Sequence, residues 1–272
     1  MARRIATTRT TRLVRCLGAA LVAVLVGIAP ARAQTAPGAA ASVSKACTPG
    51  TTATANESPL PHVAAALAQR KTLRILAMGA APGRVSARRG GYTAVIEAMV
   101  SHALEGFGVV MINRGVSGEL AANAAIRMKN EVALEEPDLV LWQVGTNDAL
   151  AYVSVDEFRA TVKDQIDWLK AHNVDVVLVG LQFAKEMLRD AHYVDIRETL
   201  RQVAAQENVI VVRFFEAMQI INTVGAGATA AAADEIEHSE AGYNCLAQYV
   251  ARAITLGVFG KNIPSPPAPQ QK

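Results

Sequence analysis

The chain has 272 residues, of which 51% are hydrophobic, 19% charged and 5% aromatic; that composition excludes a disordered or collagen-like protein and allows one domain or two. Lys and Arg number 27 against 24 Asp and Glu, but six of the cations (Arg3, Arg4, Arg9, Arg12, Arg15 and Arg32) fall in the first 33 residues, where there is no acid. Without that segment 21 cations face 24 acids, and the net charge turns from +3 to −3, which removes the electrostatic footprint expected of a nucleic-acid binder.

Residues 1–33 read as a secretory signal: an Arg-rich start, an apolar run from Cys16 to Ala29, then Pro30 and the A-x-A site Ala31-Arg32-Ala33, predicting cleavage before Gln34. The apolar run has 14 residues, against the roughly 20 that cross a bilayer. No later stretch is an uninterrupted apolar span of that length. An exported protein, periplasmic or extracellular, with no membrane span after cleavage is therefore expected. In an oxidising compartment the two cysteines that remain, Cys47 and Cys245, are expected to form one disulfide. The alternative is two separate thiols, with Cys245 a small core residue on a helix.

From Gln34 to about Glu57 the chain is rich in Ala, Thr, Ser, Gly and Pro and reads as an extended arm, assigned over 34–70. The runs Leu73–Met78, Val109–Ile112, Leu139–Val144, Val174–Val179 and Val209–Val212 are β-branched and largely unalternating, as in strands buried on both faces of a parallel sheet. Between them apolar residues recur at helical spacing, for example Tyr92, Val95, Ile96, Met99, Val100, Ala103 and Leu104, then Phe158, Val162, Ile166 and Leu169. Five strand–helix alternations predict an α/β fold over 71–257: a three-layer, doubly wound, flavodoxin-like sandwich on a five-stranded parallel sheet. Its ligand site belongs at the C-terminal ends of the strands. The Ala-rich stretch 225–234 is open between loop and short helix. An amphipathic helix over about 240–256 closes the fold, and 258–272 reads as a Pro-rich disordered tail.

Two strand ends carry chemistry. Asn113-Arg114-Gly115-Val116-Ser117-Gly118-Glu119 follows the second and Gly145-Thr146-Asn147-Asp148 the third. A glycine lets its N–H approach a ligand and an Asn amide adds a second donor, so the two suit an oxyanion hole. Taken singly, Gly118 could be a turn glycine and Asn147 a helix cap. Late in the chain Asp234-Glu235-Ile236-Glu237-His238 offers acids beside an imidazole, the ingredients of a base with its orienting carboxylate. Trp142 reads as core, and Glu119 as the start of a helix whose dipole it favours. His62, His102, His172 and His192 read as surface or half-buried, with no metal-ligand spacing.

These blocks, in this order, resemble the SGNH (GDSL) hydrolase family from about Leu73 to Leu256; Val144-Gly-Thr-Asn-Asp148 is similar to its third block and Asn113-Arg-Gly-Val-Ser-Gly118 to its second. The resemblance implies an esterase, lipase, thioesterase or carbohydrate deacetylase with a Ser nucleophile, a His–Asp pair and no metal or cofactor. Gly118 and Asn147 are then the oxyanion donors, and the ligand is a small ester or carbohydrate. Two blocks depart from the family pattern. Gly79-Ala80-Ala81-Pro82 puts Ala81 where the nucleophilic Ser belongs. Ser86 and Ser117 are the nearby hydroxyls. In the last block one register keeps His238 as base with Glu235 three residues before it; the other, through Asp234, puts Glu237 at the His position. The chain is thus expected to be either an exported ester hydrolase with altered catalysis or a non-catalytic protein that keeps the pocket.

Overall fold

Five short aliphatic runs pair side by side to build the centre of the fold: β1 Thr72–Gly79, β2 Gly108–Asn113, β3 Leu139–Gln143, β4 Asp175–Val179 and β5 Ile210–Val212. A computed structural model describes residues 58–70, 72–79, 91–183, 185–224 and 240–260, all within one unit of the chain, Ala41–Lys272. The signal segment 1–33, the arm over 34–57, the stretch 225–234 and the tail beyond Gly260 lie outside the described residues. All strand pairs are parallel, in the order β2-β1-β3-β4-β5. Every residue of β3, β4 and β5 is buried, as the unalternating runs predicted. In contrast β2 is half-exposed along its length, although β5, the other edge strand, is buried.

The helices are α1 Pro61–Arg70, α2 Gly91–Ala103, α3 Ala121–Glu135, α4 Thr146–Leu150, α5 Val155–Ala171, α6 Ala191–Gln206, α7 Phe214–Val224 and α8 Glu240–Phe259. The chain steps from β1 to β2 in one direction and from β2 across to β3 in the other, so right-handed crossovers place their helices on opposite faces. Accordingly α2 packs with α8, while α3, α5 and α6 pack in succession. The predicted doubly wound sandwich is the observed fold. Helix α5 shows the local logic: Ser154 Oγ accepts from the Glu157 N–H at 3.2 Å, an S-x-x-E start. Its buried stripe is Phe158, Val162, Ile166 and Leu169.

Residues 61–70, assigned to the extended arm, instead form α1. Pro61 suits a first helical position, and Val63, Ala66 and Leu67, spaced three and one apart, bury one face. The helix start is satisfied from afar, because the Val63 N–H donates to Asp175 Oδ2 at 2.9 Å. At the same N-terminal edge of the sheet Asp138 accepts from the Arg74 N–H at 2.9 Å and pairs with Arg70. Burial, with Asp138 nearby, pushes the Asp175 carboxyl above its ordinary range. Helix α8 continues to Phe259, past the expected end of the domain.

At the opposite edge β1 ends on Gly79, with φ +86°, and an added Cβ there would lie 1.9 Å from the Gln143 carbonyl oxygen. Backbone cannot yield to such an overlap as a flexible side chain can. Gly79→Ala should therefore destabilise the fold by about 3 kcal/mol or more, the sum of overpacking and left-handed strain. Urea unfolding of the variant checks this, and a midpoint equal to wild type would contradict the packing of β1 on β3.

Candidate active site

In a sheet of this order the switch point lies between β1 and β3, so ligands are expected over the C-terminal ends of those strands. The loop after β2 is pulled there by β1: the Arg114 N–H donates to the Ala77 carbonyl and the Val116 N–H to the Gly79 carbonyl, both at 2.9 Å. The same loop starts with an Asn113 side chain accepting from the Gly115 N–H at 3.0 Å. Gly118 then turns with φ +78°. A Cβ added to it would meet nothing within 4 Å, and among the described residues no hydrogen bond engages its N–H. It is a turn glycine, and its donor faces open space.

The loop after β3 is shaped by Gly145, with φ +105°, where a Cβ would lie 2.5 Å from Leu181 Cδ1. Helix α4 starts on that glycine, without a side-chain cap. Asn147 therefore does not cap α4. Its Nδ2 donates instead to the Glu119 carbonyl at 3.0 Å, one residue from Gly118. An amide NH₂ has two hydrogens, so one fixes the loop and the other is not used by that bond. The structure thus brings Gly118 and Asn147 together. Ala81, Ser86, Asp234, Glu235, Glu237, His238 and Cys47 lie outside the described residues; Ser117 is exposed on the loop of Gly118.

Two supporting residues were not legible in the sequence. Asp148 is buried, and its Oδ1 accepts from the Ala121 N–H at 2.9 Å, satisfying the first turn of α3 from a neighbouring loop. Glu119 was expected to serve that helix start; it turns to Arg127, giving each carboxylate oxygen one guanidinium N–H at 2.8 Å. A fork of this kind holds the loop rigidly. Thr146 Oγ1 adds a tie to the loop after β4 by accepting from the Gln182 N–H at 3.0 Å. Trp142 is core, as expected. His102 and His172 are exposed, and His62 lies at the other edge of the sheet in α1. No group of three or more metal-ligating side chains occurs among the described residues, and no helix among them is long and apolar enough to cross a membrane.

The Non-GDSL lipase-like family matches residues 46–259, most of the chain. The chain belongs to that family. It is also 25% identical to Esterase TesA of Pseudomonas aeruginosa over 126 residues, 46% of this chain and 61% of TesA, so it spans less than two thirds of that relative. The crystal structure of TesA superposes with a TM-score of 0.54 at 23% identity, covering 66% of this chain and 97% of TesA. Axe2, an acetyl-xylooligosaccharide esterase from Geobacillus stearothermophilus, superposes with a TM-score of 0.56 at 22% identity, covering 67% and 94%. LAE5, an alpha/beta hydrolase enzyme from a lake metagenome, does so with 0.56 at 20% identity, covering 68% and 96%. These neighbours share the α/β fold with the five-stranded parallel sheet seen here, and the family the chain belongs to is a lipase-like one.

Asp148 makes the site's own pH prediction. Burial pushes its carboxyl above the usual range, against the pull of backbone N–H groups that include that of Ala121. A raised folded value means that the stability Asp148 contributes is complete below the unfolded value and is lost as pH rises through the folded one. Asp148→Asn keeps an acceptor for Ala121 and never ionises. Its stability relative to wild type should therefore improve from acid to neutral pH in urea unfolding, and a difference constant with pH would refute this.

Proposed function

We propose that the chain binds a small ester, an acylated carbohydrate or a simple acyl ester, over the C-terminal ends of β1, β2 and β3, and hydrolyses it feebly or not at all. The observation that carries this reading is the bond from the Asn147 amide to the Glu119 carbonyl, which joins the loop of Asn147 to that of Gly118, whose N–H has no hydrogen bond among the described residues. Two donors so placed can hold an ester carbonyl oxygen as it gains charge. Family membership and the likeness to Esterase TesA support the ester, and the likeness to Axe2, an acetyl-xylooligosaccharide esterase, supports a sugar ester among them. The first block, Gly79-Ala80-Ala81-Pro82, supplies a methyl group at the position of the family's serine. Without a nucleophile, oxyanion donors and binding leave roughly 10³ to 10⁴ over the reaction in water.

Purified wild-type protein should hydrolyse aryl esters near background, and Ala81→Ser should raise turnover by roughly 10²-fold or more. Adding Asn147→Ala to Ala81→Ser should remove roughly 10² to 10³ of kcat, and adding His238→Ala should abolish the gain if His238, rather than Glu237, occupies the base position with Asp234 or Glu235 behind it. High wild-type turnover that survives loss of Ser86 and Ser117 would overturn the reading.

Export belongs to the same proposal, with cleavage before Gln34 and a Cys47–Cys245 disulfide. Burial of Cys245 in α8 at 2% exposure, with its sulfur in a disulfide, supports the pairing. A bridge closing so long a loop contributes roughly 5 kcal/mol at most in the chain-entropy account. Mass spectrometry of the exported protein should find a chain starting at Gln34 with no thiol open to alkylation before reduction. Two alkylated cysteines in the unreduced protein would exclude the bridge.

A further inference from the structure

We propose that Tyr152 is the platform of a sugar-ring subsite next to the oxyanion loops, so that the ester bound there is carried on a pyranose. This deepens the ester reading above and rests on it. The turn that follows α4 is bonded directly to the site: the Ala151 N–H donates to the Asn147 carbonyl at 2.8 Å, and the Val153 N–H to the Asp148 carbonyl at 3.0 Å. Tyr152 closes the turn at the end of the five-residue α4, whose second residue is Asn147.

The backbone at Tyr152 is left-handed, with φ +54°. Among the described residues three others outside glycine share that conformation, Glu136, Asn173 and Asn208, and each, like Tyr152, closes a helix. Glycine or asparagine is the ordinary choice there, and a bulky aromatic is the strained one. The ring is nevertheless held on two sides. Its hydroxyl donates to Asp190 Oδ2 at 3.0 Å, and it stacks on His192 with centroids 5.1 Å apart and planes at 17°. It remains 68% exposed. A ring that is fixed yet open is prepared for a flat partner at little further loss of side-chain freedom.

Asp190 decides what that partner is. Its Oδ1 accepts from the Tyr193 N–H at 2.7 Å, and that bond, with the one from Tyr152, holds the carboxyl below its ordinary range. The edge of the platform is therefore an anion. An acyl chain laid across it would desolvate the charge without giving it a donor. A pyranose offers C–H groups to the ring face and hydroxyl donors to the remaining lone pairs of the carboxylate.

The test uses the full chain and measures affinity by calorimetry for acetylated and unmodified xylotetraose, cellotetraose and chitotetraose, with octanoate as the apolar probe. At least one tetraose should bind, octanoate should bind more weakly, and Tyr152→Ala and Tyr152→Gly should each weaken the tetraose at least tenfold while Tyr152→Phe keeps most of the affinity. Glycine suits the left-handed backbone, so Tyr152→Gly separates a lost platform from a lost fold. Affinity unchanged in folded Tyr152→Gly would overturn the subsite, as would preference for octanoate or binding of no tetraose by wild type. Asn147→Ala separates the two readings: if it leaves the acetylated tetraose unaffected while Tyr152→Gly weakens it, the ester site fails and the sugar platform stands.

Discussion

One amide hydrogen, given by Asn147 Nδ2 to the Glu119 carbonyl at 3.0 Å, joins the loop after β2 to the loop after β3. The junction matters most for the loop after β2, where a Cβ on Gly118 would meet nothing within 4 Å, whereas the loop after β3 is also packed, with Gly145 against Leu181. The junction is reinforced on both sides, by Asp148 on the Ala121 N–H and by Arg127 on the Glu119 carboxylate. The fork is part-buried, with the Glu119 side chain 6% and the Arg127 side chain 28% exposed, so breaking it should cost more than the roughly 0 to 1 kcal/mol of an exposed pair and less than the loss of a fully buried one.

Charge continues outward from that fork. Arg127 also reaches Glu131, which pairs with Arg114, which in turn reaches Glu135 near Arg74. The series ties α3 to the loop after β2 and to the first strand. Its outer pairs are half-exposed and individually weak, but they all restrain the loop that carries Gly118. At the other edge of the sheet Asp138 and Asp175 satisfy the backbone of β1 and α1. Acids at both ends of the strands thus serve the fold, Asp138 and Asp175 at one and Glu119 and Asp148 at the other.

Much of this was legible in the sequence because it follows from local patterns. Unalternating runs such as Leu139-Val-Leu-Trp142 mark a doubly covered parallel strand, and a glycine and an asparagine after successive strands mark where backbone must turn and a donor can be offered. What could not be read depends on partners far along the chain. The exposure of β2 is one such feature: its run is as apolar as that of β5, the other edge strand, yet only β5 is covered. Helix α1 is a ten-residue segment whose start is satisfied by Asp175, 112 positions away from Val63. Glu119 was legible as a helix-start acid by its position, yet Arg127 offered a charged fork, and a fork outweighs the fraction of a kcal/mol that a helix dipole supplies.

The free donors and the strained tyrosine are not equal witnesses to a ligand. The Gly118 N–H is exposed, so water meets it and its lack of a protein partner costs nothing; such a donor can outlast the chemistry it once served. Tyr152 differs, since a left-handed aromatic costs of order 1 kcal/mol wherever it sits, and water relieves none of it. The bond to Asp190 is exposed and worth little net, and the stack on His192 adds about as much as the strain removes. The strain is therefore offset within the fold, and what the fold leaves unused is the exposed part of Tyr152, 68% of it, which is where the proposed pyranose would lie.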